Sequence, residues 1–178
     1  MKSTLVALAI ATLSASAMAQ AVNQFYGEVT YDTLSIKDTS STQRGTVKPT
    51  ATRLTVGNVV MDNLAVEASY IIGAASDTYS ADPTISVKIK DAYSIALRPF
   101  VNVTPELEVF GRIGKSHSNT EAKAGATTVS GTSNDTMYGV GAAYTVAKDV
   151  KAVIDYTMSP ESDGSKTSRM GVGVRVNF

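Results

Sequence analysis

From residue 24 to the end of the chain, apolar and polar residues alternate with period two in eight separate segments. Period two is the repeat of an extended strand, whose successive side chains point to opposite faces. Nothing after residue 21 approaches the roughly 18 consecutive apolar residues that a transmembrane helix needs. The pattern predicts strands over Gln24–Leu34, Ala51–Met61, Leu64–Gly73, Ser86–Arg98, Glu106–Gly114, Asp135–Val146, Val150–Met158 and Thr167–Phe178.

The predicted connections alternate in length. Residues 62–63, 99–105 and 147–149 are short; 35–50, 74–85, 115–134 and 159–166 are long and rich in Ser, Thr, Gly and Asp. An up-and-down meander gathers the short turns at one end of a sheet and the long loops at the other. No internal repeat and no linker divides the segment, so it reads as one domain.

Sorting each strand by parity separates two faces. One is apolar along its whole length, with Asp91 as its only charge. The other carries Glu28, Asp32, Arg53, Glu67, Lys88, Lys90, Arg98, Glu106, Glu108, Arg112, Lys151, Asp155, Arg169 and Arg175, with glycines and small residues between them. A soluble barrel would turn the apolar face inward; a membrane barrel turns it outward. Aromatic placement favours the second. Phe25, Tyr144 and Phe178 fall near one rim of the apolar face, and Tyr31, Tyr70, Tyr138 and Tyr156 near the other, as at two membrane interfaces. In hydrocarbon an open sheet edge leaves backbone groups unpaired, so the strands must close. The expected fold is all-β: a closed antiparallel up-and-down eight-stranded transmembrane β-barrel. Its interior is just wide enough for side chains, and the inward acids and bases are expected to pair. That network reads as structural, with an ion path as the alternative.

The N-terminus reads as a processing segment. Lys2 precedes the apolar run Leu5–Leu13, and Ala17-Met18-Ala19 supplies small residues for cleavage after Ala19, with Ala21 as the second choice. The expected division is a signal peptide over 1–19 and the barrel domain over 20–178. Cysteine is absent, which excludes thiol chemistry, disulfides and a cysteine lipid anchor. Sixteen basic residues balance sixteen acidic ones, so no net positive field attracts nucleic acid. No cofactor or metal is expected. The one histidine, His117, lies in Lys115-Ser-His-Ser-Asn119, which faintly resembles the His-x-Ser-Asn element of outer-membrane lipid A deacylases. Here His117 and Ser118 are adjacent, and in a strand adjacent side chains face opposite sides. No catalytic residue is assigned. Gly139, Gly141, Gly171 and Gly173 are spaced for strands, without the following helix of a phosphate loop, and are expected to make room for large inward side chains.

The last strand, with Met170, Val172, Val174, Val176 and a final Phe178, resembles the terminal signature of outer-membrane barrels, which the barrel assembly machinery reads. Arg53-Leu-Thr-Val-Gly57, Leu64-Ala-Val-Glu-Ala-Ser-Tyr70 and Tyr138-Gly-Val-Gly-Ala-Ala-Tyr144 resemble strands of the small eight-stranded porin-like family, the group of OmpA transmembrane domains and OmpX-like barrels. The resemblance implies a monomer in the Gram-negative outer membrane, exported through the inner membrane. Its partners would be outer-membrane lipids, lipopolysaccharide, periplasmic chaperones and the assembly machinery. It implies a structural or surface-interaction role, with a narrow porin or a lipid-modifying hydrolase as alternatives. Unlike OmpA, no peptidoglycan-binding domain is expected after Phe178. Asp91 on the lipid face predicts a bulge or a position near the upper interface.

Overall fold

The computed structural model describes residues 22–38, 45–162 and 165–178. The predicted signal segment lies outside them. Among the described residues no helix is long and apolar enough to cross a membrane. The described residues form ten strands: β1 (Phe25–Asp38), β2 (Thr46–Val47), β3 (Thr50–Met61), β4 (Leu64–Ala75), β5 (Asp77–Tyr79), β6 (Asp82–Asn102), β7 (Leu107–Ala124), β8 (Thr127–Ala147), β9 (Val150–Ser162) and β10 (Ser165–Asn177). Eight of them form an antiparallel ring in the order β1-β3-β4-β6-β7-β8-β9-β10, and β10 pairs back to β1 from Tyr26↔Asn177 to Asp38↔Ser165. The short β2 and β5 pair with β1 and β6.

Cross-strand register keeps apolar residues beside one another on the outer surface. Val29 lies between Val174 and Leu54, and Tyr70 between Leu54 and Tyr93. Such facing pairs are the unit of sheet stabilisation. Val140, Ile95 and Val172 are each at least 60 % exposed, whereas Arg53, Arg98 and Arg175 are at most 1 % exposed. The molecule is therefore apolar outside and charged inside.

Several strands run further than their sequence pattern. Residues 115–134 do not form a loop. They are the upper halves of β7 and β8, paired without interruption from Leu107↔Tyr144 to Ala124↔Thr127. The turn uses Gly125 in the left-handed region at φ 57°, where glycine has no steric penalty. Ser and Thr there look loop-like in composition, but a hydrogen-bonded ladder satisfies the backbone equally well in water, and β-branched Thr suits a strand. β6 likewise begins at Asp82 and ends at Asn102, so the turn to β7 is confined to residues 103–106.

Three residues expected inside are outside. Lys88 and Lys90 are exposed because the β6–β7 register slips between Ile89 and Asp91. This bulge reverses the facing of β6. Below it Ala92, Ser94, Ala96, Arg98 and Phe100 point inward; above it Ile89 does. Asp91 keeps the outward phase of Tyr93 and accepts a hydrogen bond from Asn119 Nδ2 at 2.8 Å. Glu106 is also exposed, because it sits in the turn, where Thr104 Oγ1 donates to its carboxylate at 3.2 Å.

Candidate functional site

The interior is layered. At the short-turn end Tyr26, Val59, Ala65, Phe100, Phe110, Ala143 and Val153 pack into an apolar floor. At the long-connection end Leu34, Ala51, Ile71, Ile89 and Ala92 form a second cluster, with Ile36 against it. Between them, and reaching down among the floor residues at Glu108 and Lys151, lies a layer of buried charge: Glu28, Asp32, Glu67, Glu108 and Asp155 against Arg53, Arg98, Arg112, Lys151, Arg169 and Arg175.

These charges come from seven ring strands and meet at the centre. Arg112 on β7 is the hub. Its guanidinium reaches Glu67 on β4 at 2.5 Å, Asp155 on β9 at 2.5 Å and Glu28 on β1 at 2.9 Å. Arg53 bridges Asp32 at 3.2 Å and Asp155 at 2.5 Å. Arg98 pairs with Glu67 at 3.2 Å and also with Glu108. Arg175 spans Glu28 and Glu108, both at 2.9 Å, and Lys151 reaches Glu108 at 2.8 Å. Isolated, each ion would be prohibitively expensive to bury; multiple charge-assisted hydrogen bonds offset that desolvation.

β8 contributes no charge to this layer. Its inward positions include Gly139 and Gly141, and a Cβ at Gly141 would run into the Phe110 ring. Gly171 on β10 is similarly committed: a Cβ there would meet Asp32 Oδ1 and Arg53 Nη2. The glycines thus leave the volume that large inward side chains fill.

Aromatic side chains complete the layer, which the parity reading had filled only with small residues. Tyr26 donates its hydroxyl to Glu67 Oε1 at 2.7 Å. The Arg98 guanidinium lies 3.9 Å from the Phe110 ring centre, and that of Arg175 lies 4.5 Å from the Tyr26 ring. Tyr26 shares parity with Glu28, and Phe110 with Glu108 and Arg112. An aromatic on the charged face was the available signal.

On the outer surface Phe25, Tyr31, Tyr70, Tyr138, Tyr144, Tyr156 and Phe178 are all exposed, as is Tyr93. Met170, Val172, Val174, Val176 and Phe178 form the outward row of β10, and the Phe178 amide donates to the Phe25 carbonyl at 2.9 Å. His117 stacks on Tyr93 with ring centres 4.8 Å apart, and its Nδ1 lies 2.8 Å from Asn134 Oδ1. Ser118 faces the bore instead. The two adjacent residues are therefore on opposite faces and form no nucleophile–base pair. Among the described residues no group of three or more His, Asp or Glu side chains is placed to hold a metal ion.

The model of the outer membrane protein beta-barrel domain matches residues 5–178. No curated protein matches the sequence. Among solved structures the chain is similar to Ail, the attachment invasion locus protein of Yersinia pestis, at 16% identity, with 89% of this chain and 100% of that chain covered and a TM-score of 0.65. It is similar to Neisserial surface protein A at 14% identity, covering 86% of this chain and 97% of that one, with a TM-score of 0.68. OprG from Pseudomonas aeruginosa is 12% identical over 92% of this chain and 99% of that one, with a TM-score of 0.62. At such identities the likeness is one of fold. It agrees with the domain match, with the apolar outer surface and with the charged interior: the chain belongs to the outer membrane protein beta-barrel domain family and is a protein of the outer membrane.

Proposed function

We propose that the ring is a closed, monomeric, up-and-down eight-stranded transmembrane barrel, sealed to solutes, that serves the outer membrane as a structural and surface-interaction element. One observation carries this reading. The Arg112 layer spans the bore with buried ion pairs from β1, β4 and β9, above a buried apolar cluster. Water passing through would have to part that network. Planar-bilayer recording of refolded protein is the test. The sealed reading expects no discrete conductance steps. Reproducible steps would overturn it and favour a narrow pore for small solutes.

The surface role rests on the extension of β6, β7 and β8 beyond the bulge, where Lys88, Lys90 and Lys123 are exposed and β7 stays paired with both β6 and β8 up to the Gly125 turn. Two proteins with this fold are described as an attachment invasion locus protein and a surface protein. By that analogy the extension is the part of this chain offered to the exterior. The exposed outer belt suits lipid and lipopolysaccharide. We assign Phe25, Tyr144 and Phe178 to the lower aromatic girdle and Tyr31, Tyr70, Tyr138 and Tyr156 to the upper. The outward row ending in Phe178 is assigned to recognition by the assembly machinery after chaperoned passage through the periplasm. Phe178→Asp should then lower outer-membrane levels in cells more than it lowers the melting temperature of refolded barrels. Equal losses would reduce Phe178 to ordinary packing. The mature domain is assigned to 20–178, and intact mass of the purified protein should show Gln20 as its first residue.

A further inference from the structure

Above the charged layer the bore widens into a cavity of about 300 Å³. Its walls differ in chemistry. Leu34 on β1, Ile71 on β4 and Ile89 on β6 line one side; Ser116, Ser118 and Thr132 on β7 and β8 line the other. Arg169 and Thr157, paired across β10 and β9, also line it, next to the charged layer. The apolar side exists because of the bulge at Lys90. Without that slip the two lysines would occupy the wall and Ile89 would face outward.

The cavity borders an unbalanced charge. Five carboxylates and six cations are buried in the layer, which leaves one positive charge in surplus. Arg169 is the least committed arginine. Arg53, Arg98, Arg112 and Arg175 each pair with two or more carboxylates. Arg169 pairs with Asp32 at 3.3 Å, and that carboxylate also serves Arg53. Its Nη2 is enclosed without a hydrogen-bond partner, as are the acceptors Asp32 Oδ2 and Asp155 Oδ1 of the same layer. A surplus cation at the edge of a low-dielectric bore is costly unless an anion reaches it. The cavity's own acid, Asp135, is held by the Ser133 hydroxyl at 2.6 Å. It lines the same cavity as Arg169.

We propose that this cavity binds a small amphipathic anion, an alkyl monocarboxylate. Its carboxylate lies at Arg169, and its chain lies along Leu34, Ile71 and Ile89. The volume is at the lower end of small-molecule sites. The site lies above the Arg112 layer, so binding requires no path through the bore.

The test is titration of sodium octanoate into protein held in lipid nanodiscs, read by methyl carbon-13 shifts of isoleucine. Ile71 and Ile89 report the cavity; Ile95, Ile113 and Ile154 face outward and report partition into lipid. The expected result is saturable shifts at Ile71 and Ile89, absent with octylammonium. Arg169→Met should weaken binding about tenfold or more, the value of a charged hydrogen bond, while Arg169→Lys retains it. Ile89→Trp, which fills the cavity without touching the charged layer, should abolish it and keeps the test decisive if Arg169→Met fails to fold. Shifts confined to the outward isoleucines, equal responses to octylammonium, or wild-type affinity in Arg169→Met or Ile89→Trp would each overturn the proposal.

Discussion

Arg112 touches three carboxylates on three strands, so its removal is felt across the ring. Arg112→Met leaves Glu28, Glu67 and Asp155 with one arginine each: Arg175, Arg98 and Arg53. Breaking a buried network at one member costs on the order of 3–5 kcal/mol. Urea unfolding in vesicles should show that loss, and an unchanged midpoint would mean that the layer does not hold the barrel together. Val140 poses the opposite question. It is 64% exposed on the apolar surface. Val140→Arg should cost about 2–4 kcal/mol if that surface meets the middle of the bilayer. A cost below half a kilocalorie, typical of a water-facing site, would place Val140 outside the hydrocarbon.

At the scale of elements, the tip of the β7–β8 hairpin meets the ring through Ala122, Lys123 and Ala124, which pair with Val87, Ser86 and Ile85 of β6. Glu121 pairs with Ser130, so residues 122–129 can be replaced by Asn-Gly without changing register. The shortened protein should unfold within about 1 kcal/mol of the parent, since the removed residues touch neither the charged layer nor the floor. A large loss would show that the hairpin supports the barrel, not merely crowns it. The bulge in β6 has a different importance. It lets one strand present Tyr93, Ile95 and Leu97 outward below and Ile89 inward above, with Lys88 and Lys90 exposed. Charges appear on the outer surface where lipid is expected to give way to water, so the bulge marks the upper boundary of the apolar belt.

For the whole molecule, the ring of paired strands is the governing constraint. β10 pairs with β1 over thirteen residue pairs, so the ring leaves neither strand as a free edge. The apolar floor, charged layer and upper cavity then follow from what eight strands can enclose. The assembled barrel should resist denaturing detergent at room temperature. The unboiled protein should therefore migrate differently from the boiled form on a gel and fractionate with the outer membrane. Recovery as a soluble periplasmic monomer would contradict the family assignment.

The sequence by itself determined the strand-forming segments and, for most residues, the face on which each lies. Both follow from a period-two pattern that each strand carries locally. Glu28, Arg53, Glu67, Arg112 and Asp155 were legible as inward for that reason, and Asp91 as a point of irregularity. Only the tertiary structure decided the rest. Lys88 and Lys90 turned outward because of a register slip against β7, which is a property of two strands. The 115–134 hairpin was hidden because Ser- and Thr-rich composition does not distinguish a loop from a water-exposed ladder. Tyr26 and Phe110 entered the interior because glycines on neighbouring strands left them room. The partners of each arginine, including the three carboxylates at Arg112, depend on the stagger with which the ring closes. That stagger is set by all eight strands together, and no local window of sequence contains it.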